Sequence, residues 1–293
     1  MGCIQLSAQP KISGLVNLRY QYNGSTDVHG FDIRRARVDV RGDLDPSVGY
    51  RVHVELANTP KLLDAYFQWK INDRIRLQAG QFKVPFSLEN PYSPTTLETI
   101  DNSLAITSLV GYNDVSGISA NGRDIGMSAS GAIFNGVVEY ALGMFNGAGT
   151  NKAEDNSSKD VAGTLTLHPV KNLSVAGYHY NGHGRIRSGG GVKYDDGKWL
   201  VRGEYIAGKT QTLHSDGAYA VVGVFVHTKV QTVVKADWFD RDRVDKATRQ
   251  IYYTAGVNYL PAKNVKAQLN YSYRTSQAQK NYHYVALQLL GMF

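Results

Sequence analysis

The chain is a succession of two-residue periods. From Lys11 to Tyr22, the residues Ile12, Gly14, Val16, Leu18, Tyr20 and Tyr22 share one parity, and Ser13, Asn17, Arg19 and Gln21 share the other. Period two marks an extended strand with unlike faces. The pattern returns over Phe31–Asp43, where Ala36, Val38 and Val40 oppose Arg35, Arg37, Asp39 and Arg41. Over Val48–Ala57 it sets Val52, Val54 and Leu56 against Arg51, His53 and Glu55, and over Leu62–Ile71 it sets Ala65, Phe67, Trp69 and Ile71 against Asp64, Tyr66, Gln68 and Lys70. A fifth run begins near Arg74, with Ile75, Leu77 and Ala79 opposite Arg76 and Gln78. Later runs are predicted at Asp124–Ile133, Gly136–Phe145, Asp160–His168, Leu173–Tyr180, Gly189–Tyr194, Trp199–Ala207, Ala218–His227, Val230–Phe239, Ile251–Tyr259, Val265–Tyr273 and Tyr282–Phe293, sixteen in all. Alternation is poorest in the ninth, tenth and twelfth of these.

The connections have a rhythm of their own. Every second one is tight: Asp45-Pro46, Asn72-Asp73, Asn135-Gly136, Pro169–Asn172, Asp195-Asp196-Gly197, Thr228-Lys229 and Leu260–Asn264. Those between are mostly longer and polar, as at Asn146–Lys159, Gly208–Gly217, Asp240–Gln250 and Arg274–Asn281, with Asn58–Lys61 the exception. Short turns at one end and long loops at the other are the plan of an outer-membrane barrel, whereas a soluble sandwich has no reason for it. An even strand count puts both termini at the short-turn end, and the last alternating series, Val285, Leu287 and Leu289, closes on Phe293. Residues 1–10 precede the pattern and read as the stub of a secretory signal or a disordered N-terminus, leaving 11–293 as one barrel domain.

One interruption stands apart. Between Val84 and Asp124 the period is lost, and Pro85, Pro91 and Pro94 fall among several Asn and Ser residues. Irregular segments this long are usually functional or disordered. Flanked by strict strands, this one is expected to fold into the barrel lumen.

Composition narrows the choice of solvent. The 293 residues include 19 Tyr and 30 Gly but only 8 Pro, and a wealth of Tyr suits aromatic girdles at a membrane interface. No run of eighteen apolar residues exists, so no transmembrane helix is predicted. Mean hydropathy is −0.32. A membrane protein that polar must be a barrel with a wet interior, because lipid satisfies no backbone polar group and the sheet has to close. Cys3 is the single cysteine, which excludes a disulfide framework and a cysteine-based metal site. The net charge of +7 points to anionic partners, but no basic stretch forms a tail, so nucleic acid is not expected.

Four segments carry a family resemblance: FDIRRARVDVRGDL (Phe31–Leu44), LLDAYFQWKI (Leu62–Ile71), GQFKVPFSLE (Gly80–Glu89) and GRDIGMSASG (Gly122–Gly131). In this order they resemble the phosphate-selective porin O and P family. The resemblance implies an all-β fold, a 16-stranded antiparallel transmembrane barrel whose long third loop folds into the lumen. It also implies a trimer in the outer membrane of a Gram-negative bacterium, passing small anions such as phosphate.

On the strand parity, the lumen receives Arg19, Arg35, Arg37, Arg41, Arg51, Arg76, Arg202, Lys235 and Lys266, together with Asp39, Glu55, Asp64, Glu139, Glu204 and Asp237. Rings of Arg and Lys select anions in pores, and the guanidinium fork matches phosphate and carboxylate oxygens. The candidate anion-binding residues are therefore Arg19, Arg35, Arg37, Arg41, Arg51, Arg76 and Lys83. The alternative is that these charges pair across strands, as Arg35–Arg41 could with Glu55 and Asp64. No Lys or Arg occurs between Lys83 and Arg123; the candidate constriction residues there are Glu89, Tyr92, Glu98, Asp101, Tyr112 and Asp114. The family's most phosphate-specific members carry lysines in this region, so the resemblance implies a porin more securely than a phosphate site. Scattered histidines have no metal-ligand spacing, the Gly189–Gly191 run reads as a strand-end bend, and no catalytic set, metal or cofactor is expected. A weakly selective general porin, a barrel enzyme or adhesin, and a soluble β protein that binds an anionic polymer are the alternatives.

Overall fold

In the computed structural model, sixteen strands close into one barrel, each hydrogen-bonded to its sequence neighbours and all antiparallel. The structure describes residues 9–154, 156–182, 184–277 and 279–293. Residues 1–8 of the expected stub, with Cys3, lie outside the described residues, as does His183. The strands are β1 (Lys11–Asn23), β2 (Val28–Asp45), β3 (Val48–Glu55), β4 (Lys61–Asn72), β5 (Ile75–Lys83), β6 (Arg123–Ile133), β7 (Val138–Phe145) and β8 (Asp160–Val170). They continue as β9 (Leu173–Gly182), β10 (Arg185–Asp195), β11 (Trp199–Thr210), β12 (Leu213–His227), β13 (Val230–Asp240), β14 (Arg249–Ala262), β15 (Val265–Ser276) and β16 (Gln279–Met292). A short helix, α1 (Leu104–Leu109), lies between β5 and β6.

The alternation decides the two faces. Ile12, Val16 and Leu18 on β1, Leu142 and Met144 on β7, and Leu287 and Leu289 on β16 are exposed, while polar residues of the opposite parity, such as Asn17, Asp39, Gln268 and Gln288, are buried. Only a lipid exterior makes that inverted arrangement favourable. Closure joins β1 to β16, with Leu18 facing Leu289. The amide of Gly14 donates to the carbonyl of Phe293 over 2.9 Å, and a Cβ on Gly14 would lie 2.5 Å from the Phe293 ring. Glycine there leaves room for the Phe293 ring at the seam.

All seven tight turns are present between paired strands. Asp45 accepts from the Ser47 amide, Asn72 from that of Arg74, and Asp196 from those of Lys198 and Trp199, the self-bonding that makes Asp and Asn turn residues.

The opposite end differs from expectation. Most of Gly208–Gly217 and Arg274–Asn281 is strand, so β11 and β12 meet across two residues where a loop of ten was predicted. Beyond the lipid zone neither face of a strand needs to be apolar, and such polar extensions look like loops. Likewise Gly189–Gly191 is no strand-end bend but lies inside β10, paired on both sides.

Candidate functional site: a cavity beside the β5–β6 segment

Residues 84–122 leave β5 and bond to strands that are not their neighbours. The amides of Leu88 and Glu89 donate to Glu204 on β11, that of Leu104 to Asp237 on β13, and that of Ile100 to Asn270 on β15, all at 2.7–2.8 Å. The side chain of Asn258 on β14 donates to the Glu98 carbonyl. Helix α1 buries Ala105, Ile106 and Leu109 in one cluster with Phe82, Phe86, Phe145, Tyr178, Ile206, Tyr219 and Val221. Apolar inward residues on β9, β11 and β12 are what this segment rests on, and they erase the alternation of the ninth and twelfth strands.

Buried ion pairs hold the segment. Arg202 on β11 reaches Glu98 through both terminal nitrogens (2.8 and 3.1 Å) and Glu89 at 3.5 Å. Arg187 on β10 takes Asp114 in a two-pronged contact, and Glu89 accepts from the Ser103 amide and hydroxyl. In β10, Gly191 admits Leu88: a Cβ there would stand 2.8 Å from the leucine's Cδ1.

What remains open is a cavity of about 700 Å³ on the other side of the lumen. Eight of its lining residues are basic (Arg34, Arg35, Arg37, Lys61, Lys83, Arg123, Lys235 and Arg274) and three acidic (Glu55, Asp101 and Asp237). Arg37 pairs with Glu55 at 2.7 Å and Lys235 with Asp237 at 3.3 Å. Arg35 is different: its Nη1 is buried and finds no hydrogen-bond partner among the described residues, and its neighbours Arg34 and Arg37 carry the same charge.

Arg34 enters the lumen through a register shift. Asn17 faces Arg35 but the next residue, Leu18, faces Ile33, so Arg34 is the extra residue of a bulge in β2. A bulge breaks strict alternation and re-aims a side chain. Here Arg34 and Arg35 both line the cavity, and Arg34 donates to Asp101 (2.7 Å) and to the Ile100 carbonyl (2.8 Å). Arg274 grips the other oxygen of Asp101 at 3.1 Å, its guanidinium 3.7 Å above the Tyr284 ring. Withdrawal from water raises the Asp101 pKa, but Arg34, Arg274, Arg19 and Lys235 outweigh it and hold this carboxyl below the ordinary carboxylate range.

Of the candidates named from sequence, Arg35, Arg37, Lys83, Tyr92, Asp101 and Tyr112 come together around the cavity. Lys83 ties the carbonyls of Asn90 and Tyr92 through its ammonium, and the Tyr112 hydroxyl donates to Asn90. Arg19, Arg41, Arg51 and Arg76 are not among the lining residues. Arg19 pairs with Asp32; Arg41 and Arg51 share Asp39, and Arg51 also reaches Asp64; Arg76 is exposed near the β4–β5 turn. Glu89, Glu98 and Asp114 are buried in the ion pairs above and do not line this cavity. Sequence reasoning missed Arg34, hidden by the bulge, Arg123, in the first position of β6, and Arg274, assigned to a loop.

A closed sixteen-stranded barrel with a lipid-facing exterior and a charged, partly filled lumen is an outer-membrane channel. A family model described as phosphate-selective porin O and P matches residues 12–186, more than half of the chain, and the chain belongs to that family. No curated protein matches the sequence. Among solved structures, the anion-selective porin from Comamonas acidovorans superposes with a TM-score of 0.75 at 14% identity, over 98% of this chain and 100% of that one. The trimer form of OmpT from Vibrio cholerae gives 0.73 at 9%, over 98% and 99%. The outer-membrane channel DcaP of Acinetobacter baumannii gives 0.68 at 13%, over 99% and 98%. Family and fold make this a porin of the Gram-negative outer membrane.

Proposed function

We propose that the channel passes small anionic solutes by passive diffusion, phosphate among them, and that residues 84–122 form its constriction. The carrying observation is the cavity wall of Arg34, Arg35 and Arg37, in which Arg35 has no carboxylate partner among the described residues. A guanidinium on the cavity wall with no carboxylate to neutralise it attracts a passing oxyanion, and low-dielectric walls concentrate its field. The segment's acidic residues do not cancel this field, because Arg202 and Arg187 neutralise three of them and Asp101 is gripped by Arg34 and Arg274. Most of the cavity's cations are already engaged, Arg37 with Glu55, Arg34 and Arg274 with Asp101 and Lys235 with Asp237, so moderate anion preference fits better than a tight phosphate site. The extensive exposed apolar belt suits a homotrimer in outer-membrane lipid. No enzymatic role is assigned: the buried polar groups described above serve to hold the β5–β6 segment.

Reversal potentials under a KCl gradient test this reading. Wild type is expected to favour chloride, and Arg34→Ala/Arg35→Ala/Arg37→Ala to shift toward potassium by leaving Glu55 without Arg37 and Asp101 with Arg274 alone. Equal permeabilities in both proteins would favour the weakly selective general porin. Block of the chloride current by micromolar phosphate would show a tighter phosphate site than proposed here.

A further inference from the structure

The lipid-facing belt is not smooth. On the outer face of β11 to β13, toward the long-loop end, Ala220 pairs with Gly203 on one side and with Ala236 on the other. One row higher, Ala218 stands between Tyr205 and Trp238, and Trp238 pairs in turn with Ile251 on β14. Elsewhere large side chains such as Phe67, Trp69, Leu287 and Leu289 fill the belt. Here the small residues leave a recess of about 490 Å³, walled by Trp238, Ile251 and Tyr253 and bordered at its upper end by Arg249.

Charges gather at the upper rim of this recess, on the same outward parity. Asp216 and Asp240 face each other across β12 and β13 and are buried although they point away from the lumen. Each holds an arginine. Arg249 takes Asp240 through two nitrogens, at 3.0 and 2.5 Å, with its guanidinium 5.8 Å from the Trp238 ring centroid. Arg243 takes Asp216 at 3.3 Å, and its amide donates to the His214 carbonyl, which ties the β13–β14 connection to β12. The Tyr205 hydroxyl donates to Asp216 over 2.9 Å. The Arg243 side chain is still 53% exposed, and Lys209, outward on β11 opposite His214, is exposed as well. Asp242 and Asp245 in the connection accept from its own amides.

Bulk lipid would fill the recess without any charge above it, and water would solvate the arginines without any recess below. Together they match one molecule, with phosphate at the rim and a hydrocarbon chain in the groove. Basic clusters at headgroup height recognise anionic lipid, the guanidinium fork suits phosphate oxygens, and a buried chain gains with every methylene. The long-loop end of such a barrel is the extracellular one, so the recess lies in the outer leaflet.

We propose that the outer face of β11 to β14 is a binding site for a phosphorylated, multiply acylated glycolipid of the outer leaflet. Arg243 and Lys209 take its phosphate, and one acyl chain runs over Ala220 and Ala236 between the Trp238 and Tyr253 rings. Asp216 and Asp240 are positioning residues that hold the two arginines at the rim. The site lies outside the barrel and does not depend on which solute the pore passes.

The probe is lipid A with two phosphates, added to the detergent-solubilised, full-length protein and read by native mass spectrometry. The same lipid A stripped of phosphate, and phosphatidylglycerol, are the comparisons. Lipid A should be retained at one per chain, above both. Lys209→Gln/Arg243→Gln should weaken its retention by about tenfold, the scale of two partly exposed charge contacts, and bring it to the level of the stripped form. Ala236→Phe fills the recess and should weaken both forms alike. Both variants change exposed outer positions and should still run as folded barrels in unheated SDS gels, so that a loss of retention reports on the site. Unchanged lipid A retention in both variants would overturn the site, and phosphatidylglycerol held as well as lipid A would overturn the choice of glycolipid. Loss of an oligomer band in Ala236→Phe with lipid A still retained would assign the face to a second copy of the chain instead.

Discussion

The two halves of the lumen are built from the same strands and behave as opposites. Under β9 to β12 the inward residues Ala176, Tyr178, Ile206, Tyr219 and Val221 are buried against Phe86, Ile106 and Leu109, and the charges there are locked in pairs. Across the barrel, under β2 and β14 to β16, the inward residues are Arg34, Arg35, Tyr252, Thr254, Ser272 and Tyr284, and they line the cavity. Outward, both halves are equally apolar. The lipid therefore dictates one face of every strand, while the other follows whatever covers it, here the β5–β6 segment on one side and solvent on the other.

Breaking the filled half should have the largest effect. Arg202→Met would leave Glu89 and Glu98 buried without their guanidinium, and unpairing a buried charge costs about 3–5 kcal/mol. Thermal unfolding in detergent should fall accordingly, and residues 84–122 should become open to protease; unchanged resistance would mean that Glu204 and Asp237 hold the segment alone. Next comes packing. A Cβ on Gly217 would lie 3.1 Å from that of Ala105 and 2.8 Å from the Trp238 carbonyl, so Gly217→Val should cost about 1–3 kcal/mol by overpacking. A matching loss of heat resistance on SDS gels would show it, and a silent substitution would mean that α1 yields easily.

In the wet half the effects should be on current rather than stability. Arg35→Ala removes a charge that has no partner to strand, so chloride preference should drop severalfold while the melting point stays near wild type. A large loss of stability would contradict the free guanidinium. The preference should also weaken as salt rises, since the screening length is about 10 Å at 0.1 M; a salt-independent ratio would point to direct coordination. Arg41→Ala should do least. Its side chain is 57% exposed and pairs with Asp39, which Arg51 also holds, so at most about 1 kcal/mol and little selectivity should be lost. A clear selectivity change there would extend the functional arginines beyond the cavity.

The site was only partly legible. Arg35 and Arg37 could be placed from parity, and Lys83, Tyr92, Asp101 and Tyr112 from their positions around the interruption. Arg41 and Arg51 share that parity and still miss the cavity, because parity reports a face and not a height along the barrel. Arg34 was invisible because one bulge residue shifts the register. Glu89, Glu98 and Asp114 looked like pore charges, since nothing in their own neighbourhood shows the arginines that take them. Poor alternation in the ninth and twelfth strands did hold a usable signal: inward apolar residues inside a porous barrel mean that something packs on them.

By itself the sequence determined the strand count, the lipid-facing set, the tight turns and the place of the long segment. Each of these is imposed locally, by period two against lipid or by Asx and Gly chemistry over a few residues. Only the tertiary structure decided which charges are neutralised and which stay free. Arg202 meets Glu98 from 104 positions away, and Arg34 meets Gln288 from 254. Such encounters follow from closing the barrel and laying residues 84–122 against one wall, and no local pattern encodes a distance between residues so far apart along the chain.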